Sequence, residues 1–117
     1  MPDYLLLNRC AISVVPNAPF WQWVNQTGDI DDDFIIETAT DSNMYLIPDY
    51  ESEPDITAAI KNYLIENFDE IFTSELEAWN MDPLTYPKIT YDLFNEWFDV
   101  HIHSMIFDTV SKPLKRN

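Results

Sequence analysis

The chain has 117 residues, 46% of them hydrophobic and 15% aromatic, and a formal net charge of −15 from 21 acidic against 6 basic side chains. That length suits one domain with its own core, and the aromatic content sets it apart from acidic disordered segments. The charge excludes nucleic-acid phosphate and anionic membrane surfaces as partners, because both repel it. Every acid lies at or before Asp108, where only Arg9, Lys61 and Lys88 oppose them, whereas Lys112, Lys115 and Arg116 close the chain.

Residues 1–9 lack a basic n-region and a long apolar stretch, so no signal peptide is expected. No run is long enough to span a bilayer, and the expected location is the cytoplasm. Residues 4–15 read as one nearly continuous apolar strand ended by Pro16, central in its sheet and covered on both faces. Arg9 within it is expected to reach the sheet end or pair with an acid. Cys10, the single cysteine, excludes an internal disulfide and suits buried packing.

Asn17 is the expected N-cap of a short helix, with Pro19 tolerated in its first turn. Phe20, Trp23 and Val24 fall on one face of it. Gly28, the only glycine, closes the helix or turns the chain, and Asp29, Asp31, Asp32 and Asp33 form an acidic loop. Residues 34–38 and 43–47 are strand candidates joined by a turn at residues 41–43, with Pro48 as the stop. A linker follows over residues 49–54.

A long helix is expected from there, with Pro54 in its first turn and Ser52 and Asp55 resembling a capping box. Ile56, Ile60, Tyr63, Leu64, Phe68, Ile71, Phe72, Leu76 and Trp79 keep helical spacing, while Glu66, Asp69, Glu70 and Glu77 fall mostly on other faces. Thr73 offers a second N-cap, where the helix is expected to break. Asp82-Pro83 and Tyr86-Pro87 mark an irregular segment. Thr90 caps another short helix carrying Leu93, Phe94, Trp97 and Phe98. Residues 100–110 read as a closing strand, and residues 111–117 as a flexible basic tail.

This order predicts an α+β domain over residues 1–110. Its form is a two-layer sandwich, a small and mostly antiparallel sheet with helices mainly on one face.

Few constellations carry chemistry. Alternation places Asp99, His101 and His103 on one strand face, a candidate set of ligands for a divalent metal, against the plain alternative that one histidine packs and the other is exposed. Cys10 with His101 or His103 is a candidate nucleophilic pair, disfavoured by the negative surroundings that oppose a thiolate. The carboxylate pairs lack the spacing of a calcium loop or any catalytic signature. A single glycine excludes glycine-rich nucleotide loops. Catalytic residues are therefore not assigned.

Trp21 lies off the face of Phe20 and Val24; it either anchors an interface or rests on a neighbouring loop. With Asp31, Asp32, Asp33, Glu66, Asp69 and Glu70 it makes up the candidate interaction surface. The expected role is a non-enzymatic protein–protein interaction module binding a basic partner, of inhibitor, immunity-like or nucleic-acid-mimic type. The alternative is a small metal-binding protein or metal-dependent enzyme using Asp99, His101 and His103.

The opening Leu7-Asn8-Arg9-Cys10-Ala11-Ile12, with Pro16, Pro19-Phe20 and Trp23, and the closing Trp97-Phe98, Val100 and His103-Ser104-Met105 together resemble a group of short acidic bacterial proteins without an assigned activity. The resemblance implies a cytoplasmic stand-alone domain and supplies no catalytic residues. It directs attention to Arg9, His103 and Trp97 as one cluster, if the first and last strands are neighbours.

Overall fold

The computed structural model describes residues 5–27, 42–50 and 52–116. Gly28, the acidic run at Asp29, Asp31, Asp32 and Asp33, the expected strand at 34–38 and Asp41 of the expected turn lie outside the described residues.

The described chain forms an α+β fold. A three-stranded antiparallel sheet has β2 (Cys10–Pro16) at its centre, flanked by β3 (Asn43–Ile47) and β4 (Phe98–His103). The helices are α1 (Ala18–Thr27), α2 (Ile56–Glu77) and α3 (Tyr91–Trp97), with a 3₁₀ turn at Pro83–Thr85. Two short strands, β1 (Leu5–Leu6) and β5 (Phe107–Asp108), pair antiparallel in a separate ribbon.

The register explains why β2 is so apolar. Cys10, Ile12 and Val14 point to one face and enter a single core cluster with Phe20, Trp23 and Val24 of α1, Ile60, Leu64, Phe72 and Leu76 of α2, and Phe94 of α3. Ala11, Ser13 and Val15 alternate onto the other face. They share it with Met44 and Leu46 of β3 and with Asp99, His101 and His103 of β4, which oppose them across the ladder. The helices thus contribute to one face of the sheet, as the two-layer expectation required. On the other face Met44, Leu46 and His101 are exposed, so among the described residues β2 is central but not covered on both faces as expected.

Aromatic rings make the centre of the core. Phe72 contacts Phe94, Trp97 and Phe98 with ring centroids 6.0, 5.6 and 5.4 Å away. Phe20 meets Phe98 at 5.1 Å. Trp23 satisfies its indole by donating Nε1–H to the Thr85 carbonyl at 2.8 Å, which ties the 3₁₀ turn to α1.

Several boundaries differ from the sequence expectation. The run over residues 4–15 is divided: β1 turns away to pair with β5, and Leu7 N–H donates to Ile106 O at 2.7 Å. The closing strand is divided likewise, with β4 ending at His103 and β5 starting at Phe107. Each break falls where the pairing partner changes.

The long helix starts after Pro54, not around it. Asp55 is its N-cap, accepting from Ala58 N–H at 3.1 Å, so the cap is a simple one and Ser52 takes no part in it. No break occurs at Thr73, because Ile71, Phe72 and Leu76 remain buried on the same face and hold the helix together through that turn.

Thr90 caps α3 as expected, accepting from Leu93 N–H at 3.2 Å. Asn17 accepts the first N–H groups of α1 with its backbone carbonyl, from Phe20 at 3.0 Å and Trp21 at 3.4 Å. Its side-chain amide reaches instead across to Glu96 O and Asp99 Oδ1, at 3.4 and 3.3 Å. Residues 111–116 are exposed and form neither helix nor strand. No helix among the described residues is long and apolar enough to cross a membrane.

Candidate interaction surface

The 22-residue helix α2 buries one face and turns the other outward. Glu66, Asp69, Glu70 and Glu77 are all exposed, and Thr73 and Ser74 continue the same line. Their spacing of three and four residues makes one stripe about 16 Å long at 1.5 Å per residue. Like charges at that spacing repel along the helix, so the stripe lowers helix stability while concentrating negative potential on one surface. The sequence expectation placed Glu66, Asp69 and Glu70 together, and the helix does bring them together, with Glu77 added.

At the N-terminal end of α2 the surface turns concave. A depression of about 500 Å³ is lined by Tyr50, Tyr63, Glu53, Glu66, Ala58 and Ala59. The two tyrosine rings stand edge to face, centroids 6.4 Å apart at 61°. Tyr50 is fixed to the sheet, its backbone N–H donating to Cys10 Sγ at 3.4 Å. Burial pushes the Tyr50 phenol up from its ordinary value, and Tyr63, Glu66, Cys10 and Glu53 add to the shift. The phenol is therefore neutral in a negative field. No local signal in the sequence pairs Tyr50 with Tyr63, because a linker and two helical turns separate them.

Trp21 is half-buried. Its ring meets Trp79, just beyond α2, edge-on at 5.4 Å and 86°, and Phe20 at 5.3 Å. Trp21 thus rests on a neighbouring segment and stays partly accessible. Asp31, Asp32 and Asp33 lie outside the described residues.

The outer sheet face holds the histidines. His101 is exposed and His103 half-buried, and His103 Nε2 lies 3.0 Å from Ser13 Oγ, across the ladder on β2. Asp99 shares the face, as alternation required, but sits four residues from His103, about 13 Å along the strand. There it accepts from Asn17. Among the described residues no three His, Cys, Asp or Glu side chains group to hold a metal ion.

Cys10 belongs to the opposite face. It is fully buried, with Sγ donating to Ser104 O at 3.7 Å and accepting from Tyr50 N–H at 3.4 Å. The sheet stands between this thiol and both imidazoles, so the Cys10–histidine pair is not formed.

The first and last strands of the sheet are indeed neighbours, yet Arg9, His103 and Trp97 do not gather. Arg9 precedes β2 at the end where Ala11 opposes His103, and its guanidinium donates to the Asn8 carbonyl and Oδ1 at 2.8 and 3.0 Å. Trp97 adjoins the far end, where Pro16 opposes Phe98, and its ring packs on Phe20, Trp23 and Phe72.

One buried carboxylate was not singled out by the sequence reading. Glu75 of α2 is 3% exposed and faces β3, accepting at Oε2 from Asn43 Nδ2 at 2.6 Å and Tyr45 Oη at 2.7 Å. Burial pushes the Tyr45 phenol well above its ordinary value; the Ser74 hydrogen bond opposes this, and the Glu75 bond and charge reinforce it. Position 75 lies three residues after Phe72 and four after Ile71, so helical spacing alone places it on the apolar face. Its donors come from a strand thirty residues earlier. The arrangement ties helix to sheet. No family model, curated protein or solved structure matches this chain.

Proposed function

We propose that this chain is a non-enzymatic interaction module of the cytoplasm that binds a basic protein, as an inhibitor, an immunity-like protein or a nucleic-acid mimic does. The observation that supports it best is the exposed stripe Glu66, Asp69, Glu70 and Glu77 on one face of α2. A rigid helix presents fixed charges at regular spacing, which steers a basic partner and fixes its register. The net charge of −15 extends the attraction beyond the stripe.

The test is capture from nuclease-treated lysate of the encoding organism, with the intact chain and an Asp69→Asn, Glu70→Gln, Glu77→Gln variant. One stoichiometric basic protein is expected, retained at about 50 mM salt and shed at about 500 mM, where screening is nearly complete. The variant is expected to lose most of that capture. Binding indifferent to salt, or equal in the variant, would overturn the reading.

A second reading has one observation in its favour. His101 and His103 share a strand face about 6.6 Å apart along the chain. In the tautomer where Nε2–H of His103 donates to Ser13 Oγ, Nδ1 keeps the lone pair that a divalent metal takes. This reading expects bound Zn²⁺ or Mn²⁺ in the purified protein by mass spectrometry, lost in His101→Ala, His103→Ala. A metal-free protein indifferent to added Zn²⁺ and Mn²⁺ would end it.

A further inference from the structure

The groove at the start of α2 has aromatic walls, which the smaller depression among Asp69, Glu70, Thr73, Ser74 and Glu77 lacks. It is concave, about 500 Å³, with two tyrosine rings as its wall and the small side chains of Ala58 and Ala59 leaving room beside them. Glu53 and Glu66 are exposed on its lining. Asp55 also lines it, but its Oδ1 is committed to capping Ala58 N–H.

We propose that this groove seats an arginine side chain, its guanidinium set against the Tyr50 and Tyr63 rings and paired with Glu53 and Glu66. The proposal rests on the reading of the chain as a binder of a basic protein and names the group through which that partner docks.

The chemistry selects the cation in three steps. The faces of aromatic rings carry negative potential and attract cations, and a planar, weakly hydrated guanidinium stacks on them better than an ammonium. Two rings meeting at 61° form a corner that suits a flat group. The carboxylates then supply charge pairing at the rim and repel any anion. One effect opposes a cation here: the helix N-terminus, worth roughly half a positive charge. Three carboxylates, Glu53, Asp55 and Glu66, stand against it, so the field in the groove is negative. Burial is the first cause of the raised Tyr50 phenol, and the charges of Glu66 and Glu53 add to it. The bond from Tyr50 backbone N–H to Cys10 Sγ fixes the main chain that carries one of the rings before anything binds.

The experiment is a ¹H–¹⁵N NMR titration of the full chain with N-acetyl-arginine methylamide, and in parallel with the citrulline analogue, its uncharged isostere. The amides of Tyr50, Ala58, Ala59, Asn62 and Tyr63 are expected to shift together and saturate with arginine, and to stay still with citrulline. Tyr63→Leu and Glu66→Gln are each expected to weaken binding about threefold or more. Glu66 is exposed, so its variant tests the proposal without threatening the fold.

Shifts spread equally along Asp69, Glu70 and Glu77, an equal response to citrulline, or unchanged affinity in Glu66→Gln would overturn the proposal. Failure of the wider reading looks different. If the captured basic protein binds a Tyr63→Leu, Glu66→Gln chain undiminished, the groove is overturned as its docking point and the partner reading stands. If no basic protein is captured while the arginine titration saturates as described, the partner reading falls and the groove stands as a guanidinium site.

Discussion

Tyr45 and Glu75 show how much one buried pair decides. Replacing Glu75 with Ala removes the buried carboxylate to which both Asn43 and Tyr45 donate, which is expected to cost about 1–3 kcal/mol in urea unfolding, while Glu75→Gln costs less because it keeps an acceptor oxygen. The pair also sets an alkaline limit. The folded protein holds the Tyr45 proton more tightly than the unfolded chain, where a phenol ionises near about 10. Below that pH both states are protonated and the contribution is complete. Above it the unfolded chain loses its proton first, so stability is expected to fall as pH rises through about 10 and beyond. Unfolding free energies at about pH 7, 9 and 10.5 check this, and Tyr45→Phe is expected to flatten the fall while lowering stability at neutral pH. Cys10 gives a third check at this scale. Its thiol is fully buried and bonded on both sides, so a disulfide reagent is expected to modify it only at the rate of unfolding.

Among the elements, α2 holds the most. Its N-cap is a single side chain, and Asp55→Ala is expected to lower stability by about 1 kcal/mol, read as a shift of the unfolding midpoint at unchanged slope. The helix was legible in the sequence because nine apolar residues from Ile56 to Trp79 recur at helical spacing. Its ends and continuity were less so. The Thr73-Ser74-Glu75 sequence looks like a helix start, yet the burial of Phe72 and Leu76 on either side outweighs that local preference. Strands show the same limit. Alternation correctly put Asp99, His101 and His103 on one face, but it continues through Ser104 and Met105, where the structure ends β4. A change of pairing partner has no periodic signature.

At the scale of the whole molecule, charge governs stability as well as binding. With a formal charge of −15, folding brings like charges together, and their repulsion opposes the compact state. Salt screens it. The thermal midpoint is therefore expected to rise as sodium chloride goes from about 20 to about 300 mM, because the Debye length shortens over that range. A midpoint that falls with salt would show that attractive pairs outweigh the repulsion. The same screening acts oppositely on partner capture, so conditions that favour the fold are expected to weaken the proposed complex.

The sequence by itself determined the class of the fold, the buried identity of β2, the long amphipathic helix and the acidity of its outer face. These follow from periodicity and composition, which are properties of neighbouring residues. Only the tertiary structure decided that Tyr50 meets Tyr63, that Ser13 and not Cys10 is the partner of His103, that Trp21 rests on Trp79, and that Glu75 is buried beneath Tyr45. Each of these joins residues far apart in the chain. Which distant side chains touch depends on strand register and on how a helix is rotated against the sheet, and those are fixed by packing the entire core at once.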